Sequence, residues 1–201
     1  MSGFLQVIEN SNIEGTMKTI LSSALFSVSV MTAGVATASD GTVNFIGSVI
    51  GQSCNIDISQ GQAQNGVGPN ALVTLPTLGI SALPNEGSKA GSTSFLFLLS
   101  DCTPGMMVRP FFESTNVNPA SGYLLNTVST ANGGSSDVEL EILNVNDESI
   151  DLRTNPESTN SYQDITSAGN AVMEYNVQYT AGVNPTSGTV SSALTYTLQY
   201  R

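Results

Sequence analysis

The side chains of this chain that could do chemistry are Cys54, Cys102 and sixteen acidic residues, because its 201 residues include no histidine. Without imidazole, Ser-His-Asp and Cys-His nucleophiles and histidine-containing metal sites are excluded. A pair of carboxylates could still hydrolyse a glycoside. The acids are spread along the chain, however, and no pair stands out. Asn144 to Glu148 is acidic enough to suggest a calcium loop, but it lacks the glycine and distal glutamate of an EF-hand and reads as a solvated turn. A net charge of −11 argues against nucleic acid, which needs a basic face. No enzymatic activity, metal or cofactor is expected.

The cysteines are best read with the segment ahead of them. Met17 and Lys18 open a signal-like run, apolar from about Ile20 to Val35, and Ala36-Thr37-Ala38 supplies a small-x-small cleavage pattern. Residues 17–38 are therefore expected to be a signal peptide. Residues 1–16, with Glu9 and Glu14 and no basic residue, are expected to be a mis-assigned extension. In an exported protein Cys54 and Cys102 should pair, which stabilises the fold by roughly 4 kcal/mol on a chain-entropy estimate.

The elements that carry these residues are strands. Cys54, Ile56 and Ile58 alternate. Ala71 to Leu75 suggests a short strand stopped by Pro76, and Leu78 to Gly91 a wandering connection. Ser94 to Ser100 (SFLFLLS), apolar on both faces, suggests a central strand, and Met106 to Glu113 an edge or bulged one at Pro110. Asp137 to Asn144 places Val138, Leu140 and Ile142 inward and Glu139 and Glu141 outward. Ala171 to Ala181 and Thr189 to Arg201 complete the set, with no helical periodicity after the leader. About seven strands with turn signals between them predict a one-domain Greek-key β-sandwich.

The two ends of the mature chain pose a problem for such a fold. Val43, Phe45, Gly47 and Val49 share one face of an extended stretch that precedes the disulfide. Val190, Leu194, Tyr196, Leu198 and Tyr200 share one face of a strand that runs almost to Arg201. One apolar strand is left over.

The stretches GTVNFIGSVI ahead of Cys54, VTLPTLG, SFLFLLSDC, VRPFFES, DVELEILN and the ending EYNVQYTAG to TLQYR resemble, in order and spacing, the type 1 fimbrial pilins of the chaperone–usher route. Gly188 is fourteenth from the end and Tyr200 penultimate, the family's pattern for the strand a periplasmic chaperone grips. The resemblance implies an incomplete immunoglobulin-like sandwich, residues 51–201, completed by a donor strand from another subunit. Residues 39–50 would be this chain's own donor strand, with Val43, Phe45 and Val49 as plugs and Gly47 at a constriction. Gly188, Val190, Leu194, Tyr196, Leu198, Tyr200 and Arg201 would form the receiving and chaperone-binding edge. Implied partners are neighbouring pilins in a head-to-tail homopolymer, the chaperone and an outer-membrane usher, with passage through the periplasm to a surface fimbria. The alternatives are a minor adaptor or a carbohydrate-binding adhesin subunit, the latter disfavoured by the absence of room for a lectin domain.

Overall fold

The computed structural model describes residues 46, 47, 49, 54–60, 68–113 and 115–201. The leader, the extension before it, and Val43 and Phe45 lie outside the described residues. From Ser48 onward the chain forms one compact unit of two β-sheets.

The eight described strands are β1 (Asn55–Gln60), β2 (Lys89–Ser100), β3 (Met107–Glu113), β4 (Leu124–Leu125), β5 (Val138–Asn144), β6 (Gln163–Asp164), β7 (Ala171–Ala181) and β8 (Thr195–Tyr200). One sheet has the order β1-β2-β7-β5-β4 and the other β6-β3-β8. All named pairings are antiparallel. Phe95, Phe97 and Leu99 point between the sheets from β2 and are buried, as are Leu140 and Ile142 of β5 and Met173, Tyr175 and Val177 of β7. Phe112 and Tyr196 meet them from the second sheet, with Phe97 and Tyr196 edge to face at 4.8 Å between centroids. Edge-to-face contacts of this kind add about 0.5–1.5 kcal/mol beyond the area they bury.

Cys54 and Cys102 are joined, and β1 and β2 are neighbours, with Asn55 opposite Ser100. The strand at Ser94 starts earlier than alternation suggests. It begins at Lys89 and continues through a register shift between Ala90 and Thr93. Gly91 makes that possible, with φ at 71° and the Tyr179 ring where a Cβ would stand.

Three further expectations are corrected. Ala71 to Leu75 joins no ladder. Its extended form is held by the Gln60 side chain, which donates to Thr74 O at 2.8 Å and accepts from Thr74 N at 3.0 Å. The last ladder spans Thr195–Tyr200 rather than starting at Thr189, which makes only a β-bridge to Gly134. Glu141 has the outward parity but is fully buried. Its carboxylate takes Lys89 Nζ at 2.7 Å, Gln178 Nε2 at 2.7 Å and Thr180 Oγ1 at 3.3 Å, so side chains from β7 and from β2 beyond it cover it.

Pro110 sits inside β3, opposite Leu198 of β8, where β6 no longer pairs. Side chains from the connection after β5 take over there. Asn160 Nδ2 donates to Pro110 O at 2.7 Å, and Asn155 brackets Phe112 through both its N–H and its C=O. A missing N–H is thus tolerated because no strand pairs on the side that it would face.

Candidate functional site

The site grows out of the free edge of β8. Met107 and Arg201 exchange both backbone hydrogen bonds, at 2.9 and 3.0 Å, which makes them a hydrogen-bonded pair of the antiparallel ladder. Two-residue alternation then turns the N–H and C=O of Tyr196, Leu198 and Tyr200 away from β3. Farther back, Thr189 bonds Gly133 and Ser135, and the carbonyl of Ser191 accepts from Thr127. The same alternation turns Val190, Ser192 and Leu194 to the open side. A strand's worth of backbone donors and acceptors thus faces outward along one line.

Beside that line lies a groove. One wall is residues 186–196 and the other residues 69–80, and the sandwich core is exposed as the floor. Two adjoining hollows of about 690 and 580 Å³ make up its length. Phe95, Phe97, Ile142 and Val177 floor the first, and Leu83, Val138 and Tyr179 the second. Among the described residues, neither is lined by a charged side chain. Leu72 on the rim is 85% exposed. Uncovered apolar surface on this scale normally marks an interaction site.

Tyrosine hydroxyls tie the second wall to the rest of the fold. Tyr196 Oη donates to Pro69 O at 2.8 Å and Tyr179 Oη to Pro76 O at 3.3 Å. Burial raises both phenols above the ordinary tyrosine value. They therefore remain protonated donors at any physiological pH.

Of the edge residues named from the sequence, Gly188, Val190, Leu194 and Tyr196 line the groove. Leu198 and Tyr200 share their parity but pack against the core beyond the groove's end, where Tyr200 Oη accepts from Cys54 N at 3.1 Å. Arg201 pairs with Glu157 and stacks over Tyr162. Gly188 faces a specific obstacle, since a Cβ there would stand 2.4 Å from Ser135 N and 2.6 Å from Gly134 C. Of the donor-side residues, Gly47 and Val49 are described and both are exposed. Sequence reading missed the wall at residues 69–80, whose half-buried Val73 and Leu75 alternate with exposed Leu72 and Thr74. It also missed Asn126 and Ser192. The alternation at residues 72–75 was visible, but its lack of a partner strand was not.

No group of three or more His, Cys, Asp or Glu side chains able to hold a metal ion occurs among the described residues. At Asn144 the side chain is spent on the turn, accepting from the backbone of Asn146 and Glu148.

Comparison with known proteins agrees with this architecture. The family model described as "Fimbrial protein" matches residues 43–201. The F17 fimbrial protein of Escherichia coli is 30% identical over 171 residues, covering 82% of this chain and 89% of that protein. The major fimbrial subunit SMF-1 of Stenotrophomonas maltophilia (strain K279a) is 28% identical over 169 residues, covering 82% of this chain and 95% of its own length. Among solved structures, the P pilus rod subunit PapA superposes with a TM-score of 0.51 at 16% identity, covering 72% of this chain and 99% of that one. A chaperone–usher pilus subunit, from a structure concerned with rod uncoiling, gives a TM-score of 0.52 at 17% identity, covering 84% and 100%. At that identity these likenesses concern the fold.

Proposed function

Because this chain belongs to the fimbrial protein family, we propose that it is a polymerising shaft subunit of a chaperone–usher fimbria, joined to its neighbours by donor-strand exchange. As a family member it is a structural fimbrial subunit with an immunoglobulin-like all-β fold, and its place is the surface fimbria. In the finer reading, residues 39–50 of one subunit lie in the groove of the next. A periplasmic chaperone holds the same groove beforehand, and an outer-membrane usher exports the growing fibre. When a strand is added to an open sheet edge, backbone bonds supply the affinity and pockets for alternate side chains supply the register.

The observation that carries this reading is the pairing of a free backbone edge with an uncharged groove of matching length. From Gly188 to Tyr196 an extended chain covers roughly 26 Å, and from Val43 to Val49 roughly 20 Å. Burying Val43, Phe45 and Val49 would contribute about 1.5–3 kcal/mol each, and each net ladder bond about 1 kcal/mol. Because the inserted strand joins a core, its release requires partial unfolding and is slow. A head-to-tail contact of this type does not close on itself, so it builds a filament.

The test is to mix the chaperone-released subunit with a synthetic peptide of residues 40–50 and follow thermal unfolding. The expected result is a large, slowly formed and nearly irreversible rise in Tm. No rise removes donor-strand exchange through this stretch.

A further inference from the structure

Half of the groove wall is held by something other than a strand ladder, and the structure assigns that task to Asn126. Thr186 to Leu194 lies ahead of β8 and meets the fold through one β-bridge among the described residues, Thr189 with Gly134. Thr186 anchors the start of this stretch on Ser135 and Ser136, and the Asn126 amide holds its middle. Its Nδ2 donates to Ser135 O and Thr189 O, both at 2.9 Å. Its Oδ1 accepts from Val128 N at 3.1 Å and Ser191 N at 3.0 Å. These four bonds use an amide's two donors and both acceptor lone pairs. Thr127 adds two more, from its N–H and Oγ1 to Ser191 O, at 2.8 and 2.9 Å.

The bonds from Asn126 and Thr127 to this wall fall on Thr189 and Ser191, the residues that alternate with the groove-facing Val190 and Ser192. Fixing the first pair therefore aims the second. On the groove side Ser192 Oγ is buried without a hydrogen-bond partner and adds nothing to that hold. Asn126 is thus a positioning residue. It keeps residues 188–192 extended and at strand distance before a partner strand arrives. A preformed wall spares the incoming strand the cost of ordering it.

This assignment rests on the donor-strand reading and is tested beside it. Peptide 40–50 is titrated into the exported full chain carrying Asn126→Ala, Asn126→Asp, Thr127→Val or, as a control away from the groove, Asn118→Ala. Asn118 binds Glu139 and the Ala120 backbone instead. Losing the Asn126 bonds should weaken peptide binding about tenfold or more, and Thr127→Val about threefold, at a typical net worth per bond. Asn118→Ala should lower Tm without changing peptide affinity. A residue that merely supported the fold would lower Tm equally with and without peptide. Wild-type affinity in both Asn126→Ala and Thr127→Val would overturn the assignment, and if Asn126→Ala does not fold, Thr127→Val decides. If the wild type itself ignores the peptide, the donor-strand reading falls. Amide exchange at residues 188–192 then judges Asn126: faster exchange in the variants supports it, unchanged exchange overturns it.

Discussion

The hydroxyl of Tyr196 donates to the carbonyl of Pro69 at 2.8 Å, so a residue of β8 ties the two walls of the groove together at one end. The ring beneath it stands edge-on to Phe97, so hydroxyl and ring do separable work. Tyr196→Phe should lower stability by about 1 kcal/mol, the net worth of one bond, and speed amide exchange near Asn70. Tyr196→Ala, which also vacates the contact with Phe97, should cost about 3–5 kcal/mol in urea unfolding. Equal losses for the two variants would show that the hydroxyl alone matters.

Gly188 can be tested apart from any chaperone. Its missing Cβ is what lets residues 186–189 pass the Gly134 backbone. Backbone atoms cannot swing aside as a side-chain tip can. Gly188→Ala should therefore cost about 1–3 kcal/mol in the isolated subunit. A melting curve superimposable on wild type would mean that the obstruction relaxes freely.

Gly47 should behave in the opposite way. A Cβ added there meets nothing within 4 Å among the described residues. Gly47→Leu is expected to fold, be exported and melt as wild type, yet fail to enter fibres. Normal fibres by electron microscopy would dismiss the idea of a tight spot opposite residue 47.

Acid should weaken the fold through Glu141. Burial pushes its carboxyl up, but hydrogen bonds from Lys89, Gln178 and Ser149 outweigh that and hold it below the ordinary glutamate value. A depressed folded-state value means that the stabilisation is present above the unfolded value near 4.5 and is lost as pH falls through the folded one. Glu141→Gln should therefore lower Tm at pH 7, by the equivalent of about 1–2 kcal/mol. The gap to wild type should close as pH falls through that depressed value. A gap independent of pH would point to packing rather than charge.

Which features could be read from residue order follows from how far each interaction reaches. Ala171–Ala181 has the expected bounds, because alternation is a local property and its apolar face meets a core on one side. The cysteine pairing needed only the chain's export signature and a count of two. Glu141 defeats the same reasoning, since its cation lies on β2, two strands away in the sheet. Residues 71–75 have a strand's alternation, but their backbone partner is the Gln60 side chain, which no periodicity reveals. Asn126 was invisible for a related reason: two of the backbone atoms it holds belong to residues 189 and 191, more than sixty positions away. The edge of β8 was legible as parity, but where the groove stops depends on Tyr196 reaching Pro69.

The disulfide between Cys54 and Cys102 has a mechanical side. Residues 39–50 precede Cys54, so tension on that arm arrives first at β1, an outer strand that could be unzipped one ladder bond at a time. The covalent link passes the load directly to the far end of β2, which is flanked by β1 and by the long β7. The load then reaches a strand paired on both sides instead of resting on the outer strand alone. If residues 39–50 link subunits, strain along the fibre would pass through this cystine in every subunit.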